Sequence, residues 1–90
     1  MHAVHLTITF TDRSAGVATL DQVVPRTSDL PGFTAGYWLV GPADQGLSLI
    51  MFDSREAAQG FADFLKSAPE EAGVTLDREG IWVGEVLAHA

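Results

Sequence analysis

The sequence predicts an α+β domain in which strands and helices follow the order β-α-β-β-α-β. Residues 3–10 alternate between apolar and polar side chains, and residues 57–68 repeat apolar side chains at helical spacing. Glycine and proline clusters separate the remaining apolar runs.

From Ala3 to Phe10, the side chains of Val4, Leu6, Ile8 and Phe10 fall on one side and His5, Thr7 and Thr9 on the other, as the two faces of a strand require. Asp12 and Ser14 are both suited to cap a helix, and Val17, Leu20, Val23 and Val24 continue it at helical spacing. Gly16 weakens this helix, and Pro25, which lacks an amide hydrogen, is expected to end it. Asp29-Leu30-Pro31-Gly32 has the chemistry of a turn, and a second strand is expected from Phe33 to Val40. Gly41 to Gly46 then reads as the loop of a hairpin whose third strand is Leu47 to Phe52.

The second helix is expected to open at Asp53, because Glu56 follows at the spacing of a capping box. Ala57, Ala58, Phe61, Phe64, Leu65 and Ala68 form its apolar stripe, with Arg55, Gln59, Asp63 and Lys66 largely opposite, and Pro69 ends it. Glu70 to Gly80 reads as a polar connector holding a short strand at Val74 to Leu76, before a last strand from Ile81 to Ala88. This element order implies a ferredoxin-like, split β-α-β sheet of strand order 4-1-3-2, antiparallel, with both helices on one face. Residues 1–90 are expected to form one domain, since no repeat or linker divides them. The face without helices is then a natural surface for a second copy, with His5, Thr7, Thr9, Trp38 and Trp82 expected to be shielded there.

Composition narrows the function classes. Hydrophobic residues make up 47% of the chain and charged residues 19%, the balance of a folded globule. The absence of cysteine excludes disulfides, zinc thiolate sites and cysteine nucleophiles, and fits a reducing compartment. The first residues lack the basic and apolar segments of a secretory signal, so a cytoplasmic location is expected. Twelve acidic against five basic residues give a net charge of -7, which repels phosphate backbones and anionic lipid headgroups, so neither nucleic acid nor membrane is an expected partner.

Pro31-Gly32-Phe33, Gly36-Tyr37-Trp38-Leu39 and Phe52-Asp53-Ser54-Arg55-Glu56-Ala57-Ala58 resemble the antibiotic biosynthesis monooxygenase-like proteins of the dimeric α/β barrel superfamily. The resemblance spans nearly the whole element order and implies a homodimer and a site for a small aromatic or carbonyl compound. Families of this kind include cofactor-independent oxygenases, isomerases and haem degraders. The oxygenases and haem degraders use an asparagine in the cavity, yet this chain has none; haem degraders add a histidine ligand on or beside the second helix, whereas the histidines here are His2, His5 and His89. The resemblance thus implies no haem, and no other bound cofactor is expected.

Tyr37, Trp38 and Trp82 are aromatic side chains suited to line a site for a flat ligand, or equally to fill core or interface. Tyr37 and Trp38 point to opposite faces of one strand, so only one of them shares a given cavity. Glu85 falls on the same face as Ile81, Val83 and Leu87, where a carboxylate is either a general base or half of an ion pair. His5 and His89 are expected to be neighbours if the first and last strands pair antiparallel, with His2 near them, which would offer imidazoles to a metal. Asp77, Arg78 and Glu79 read as the charged surface of a connector. Two functions from different classes follow: an enzyme acting without a cofactor, as a monooxygenase or isomerase, and a non-catalytic dimer that binds a ligand or a protein. An open space beneath the helices favours the first, and its filling by Phe61, Phe64 and Leu65 the second.

Overall fold

The alternation that begins at the N-terminus becomes a nine-residue strand, β1 (His2–Phe10), in the computed structural model, which describes residues 1–90. It is followed by α1 (Arg13–Ser28), β2 (Phe33–Val40), β3 (Gln45–Phe52), α2 (Arg55–Ser67), β4 (Val74–Leu76) and β5 (Trp82–Glu85), with single 3₁₀ turns at Pro42–Asp44 and Arg78–Gly80. All strand pairs are antiparallel, in the order β2-β3-β1-β4, and β5 also pairs with β1. The fold is therefore the expected ferredoxin-like α+β sheet, with its fourth place divided between two short strands. β4 takes the end of β1 near Phe10 and β5 the end near His2. Between them Asp77 turns the chain, donating its backbone N–H to Thr7 O and accepting at its carboxylate from Gly80 N.

The last strand is shorter than Ile81 to Ala88. In the antiparallel register His2 faces Glu85, and beyond that pair Val86 N donates to Met1 O. Val4, Leu6, Ile8 and Phe10 form one side of the core with Ile50, Phe52, Val74 and Ile81. Phe52 and Val4 are the largest fully buried side chains, each stabilising the fold by about 1.5–3 kcal/mol. Ala58 and Ala62 bring α2 onto the core at close range.

Two helix boundaries also differ from the sequence expectation, and β3 begins at Gln45 rather than Leu47. Pro25 does not end α1, which continues to Ser28. Proline costs the bond that its own amide would have donated one turn back and crowds that carbonyl, but it sits at an exposed position, Asp29 N–H returns to Pro25 O and Thr27 is buried. At the second helix the cap is Ser54, not Asp53: Ser54 Oγ accepts from Ala57 N at 3.2 Å. Asp53 instead donates its backbone N–H to Gly32 O at 2.8 Å, tying the helix start to the turn before β2. Gly32 is in the left-handed region at φ 82°, and a Cβ there would stand 2.6 Å from Asp53 Oδ1.

Candidate functional site

α1 is held at its start and along its length by the segment before β4, while Leu20 packs against the core. At the start, Gly16 lies so close to Phe10 that a Cβ would stand 2.4 Å from the ring, while Thr11 N and Asp12 N donate to Gly73 O. Along its length Thr19 Oγ1 donates to Ala72 O at 2.7 Å and Arg26 pairs with Glu71. These bonds tether α1 to the segment before β4. A space of about 660 Å³ remains between α1, α2 and the sheet.

The floor of this cavity is a row of three residues across β2, β3 and β1: Trp38, Ser48 and Leu6, paired in register. The Trp38 indole folds back over Gly36, where a Cβ would meet its ring at 2.8 Å, so the glycine is what lets the ring lie against the sheet. Ser48 is 3% exposed and offers the one hydroxyl that the strands direct into the cavity. Leu20, Val23 and Leu30 line the α1 side, and Ala57, Gly60, Phe61, Phe64 and Leu65 the α2 side. Phe61 and Phe64 stack with ring centroids 6.4 Å apart, and Phe64 is 59% exposed. Thr27 is buried, but its hydroxyl donates to Val23 O at 2.9 Å. The charged lining residues are Arg26, Glu56 and Glu71, with Arg26 and Glu71 joined at 3.2 Å.

Trp38 therefore lines the helix-side cavity and is not on the open face, which corrects the expectation that it faces a second subunit. Parity decides this: its partner Ser48 pairs with Leu6, a helix-side residue. Tyr37 takes the open face, paired with Leu49, and is 56% exposed. Leu39 and Trp82 share that face, 57% and 56% exposed, and Trp82 stacks on His5 with ring centroids 4.8 Å apart. The open face thus carries apolar and aromatic side chains on β2 and β5, with His5, Thr7 and Thr9 of β1 between them.

Glu85 is exposed at the end of β5, opposite His2, and does not share a buried apolar face. His5 and His89 are not brought together: His5 faces Trp82, and His89 lies beyond the end of β5. No group of three or more histidine, aspartate or glutamate side chains is placed to hold a metal. Ser48, Arg26 and Glu71 are site residues that the sequence did not single out. Only the alternation of β3 pointed to Ser48, as a polar residue in a helix-facing position.

No protein-family model and no curated protein sequence matches the chain. Two solved structures of a haem-degrading protein of Mycobacterium tuberculosis, MhuD, do match in three dimensions. One, haem-free and with cleaved protein, gives a TM-score of 0.57 at 22% identity, covering 100% of this chain and 96% of that one. The other, with two haems bound in its active site, gives 0.54 at 19% identity, covering 98% of each. The fold is shared. At such identity the chemistry must be read from the cavity itself. Its lining holds no histidine, cysteine, methionine or tyrosine, the side chains that ligate haem iron, so the residues present do not fit that group.

Proposed function

We propose that the protein is a homodimer whose subunits each bind a small, flat, apolar ligand in the cavity between helices and sheet. The observation that carries the reading is the cavity itself: about 660 Å³, apolar, and floored by an indole and a hydroxyl that can orient a planar molecule. Its size suits one ligand of two or three rings. Binding is favoured over catalysis by the position of the titratable groups. A cofactor-free monooxygenase or isomerase needs a base beside the reacting carbon, yet the sheet floor offers only the Ser48 hydroxyl and the Trp38 indole, and the lining carboxylates are Glu71, paired with Arg26, and Glu56 in the first turn of α2. The candidates Tyr37 and Glu85 do not line the cavity.

Dimerisation is supported by the open face, where Tyr37, Leu39 and Trp82 are each more than half exposed. Pairing two such faces closes a barrel of the kind the sequence resemblance implies. A reducing compartment such as the cytoplasm suits a chain without cysteine, and no helix is long and apolar enough to cross a membrane. Titration with neutral N-phenylnaphthylamine, followed by its fluorescence, tests the binding reading. Saturable binding is expected, and Gly60→Leu should weaken it, because nothing lies within 4 Å of a Cβ at that position and the new side chain would project into open space along the cavity wall. Absence of saturable binding in the wild type rejects the reading.

A further inference from the structure

We infer that the cavity selects uncharged aromatic ligands over anionic ones, and that Glu71 sets this preference by occupying the guanidinium of Arg26. The inference rests on the binding reading above and adds the ligand's charge to it. Arg26 is the only cation in the lining, against the carboxylates of Glu56 and Glu71. Its Nη2 lies 3.2 Å from Glu71 Oε1, and its Nε donates to Gln22 O at 3.2 Å. Two edges of the guanidinium are therefore already directed at protein acceptors. Glu71 itself is held in place, since the neighbouring residues 72 and 73 are fixed to α1 by Thr19 Oγ1 and by the amides of Thr11 and Asp12.

An incoming anion would lose hydration against an apolar wall and meet the one cation of the lining already paired with Glu71. It would also approach two carboxylates on a chain whose net charge is already -7. A neutral ring system meets none of these penalties, and the Ser48 hydroxyl and Trp38 indole N–H serve its polar substituents. The same geometry argues against haem on a second ground, because two propionates would share the single cation of the lining, which is already paired with Glu71.

The test uses two probes of the same shape, neutral N-phenylnaphthylamine and anionic anilinonaphthalene sulfonate, titrated by fluorescence into the folded wild-type protein. The neutral probe should bind about tenfold more tightly or better, the scale of one unscreened charge contact at a partly exposed site. Added salt should narrow the gap. Glu71→Gln should strengthen sulfonate binding about tenfold relative to the neutral probe by releasing Arg26, and lose that gain when combined with Arg26→Gln. Equal wild-type affinity for the two probes overturns the charge preference. A Glu71→Gln gain that is the same for both probes, or absent, overturns the role of Glu71. Binding of neither probe instead rejects the binding reading on which both rest.

Discussion

Gly36 and Gly73 show how much of this fold depends on the absence of a single carbon. At Gly36 an added Cβ would stand 2.8 Å from the Trp38 ring and 3.2 Å from Ile50 Cδ1, so the indole would have to lift off the sheet into the cavity. Gly36→Ala is expected to cost about 1–3 kcal/mol by overpacking, and to weaken binding of the neutral naphthylamine. A denaturant titration paired with the probe titration checks both, and unchanged affinity would mean that Trp38 does not shape the ligand's space. Gly73 is less forgiving. Its φ is 78°, and a Cβ would lie 2.4 Å from Gly16 N and 2.7 Å from Asp12 O, which are backbone atoms that cannot rotate away. Gly73→Ala should destabilise by more than about 2 kcal/mol, visible as a lowered Tm, because it separates α1 from the segment that holds it. A Tm within the error of wild type would show that this junction gives way freely.

At the scale of the element, the two helices are built differently. α2 has a side-chain cap, a continuous apolar stripe and two alanines in the core, so local and tertiary preferences agree. α1 carries a glycine and a proline, leaves Val17 49% exposed, and buries only Gly16 and Thr27. Its place is set by tethers at its start and along one side, with Leu20 packed against the core. Capping chemistry separates Ser54 from Asp53. Ser54→Ala should cost about 1 kcal/mol through the lost bond to Ala57 N. Asp53→Ala keeps its backbone bond to Gly32 O, so it should cost less. Urea unfolding of the two variants decides between them, and a larger loss at Asp53 would return the cap to that residue.

For the whole molecule, the sheet has one face covered by helices and one left open, with Tyr37, Leu39 and Trp82 exposed on it. Leu39 is paired with Leu47 in the outer part of that face and is 57% exposed. Leu39→Lys places a charge there without touching the helix-side core. Light scattering should give twice the monomer mass for the wild type and the monomer mass for the variant. Thermal unfolding of the variant, together with its probe affinity, then reports whether each cavity is complete within one subunit. A wild-type monomer at micromolar concentration would reject the barrel assembly.

Periods of two and 3.6 are properties of local sequence, so the element order, the limits of β2 and the short strand at Val74–Leu76 were legible without the fold. The sheet order followed from that element order. What lay beyond it was whatever depends on distant partners. Pro25 signals a helix end locally, but Thr27 is buried and the helix runs on to Ser28. Alternation alone put Tyr37 and Trp38 on opposite faces, yet which face each takes depends on the pairing of Trp38 with Ser48 and of Ser48 with Leu6. His5 and His89 seemed to be neighbours because both lie near strand ends, until the register of β5 stopped at Glu85. The Arg26–Glu71 pair spans 45 residues of sequence and leaves no periodic trace. The sequence by itself determined the elements and their order, because these follow from each residue and its near neighbours. The tertiary structure alone decided the open cavity, its charge and its floor, because these arise where separate elements meet.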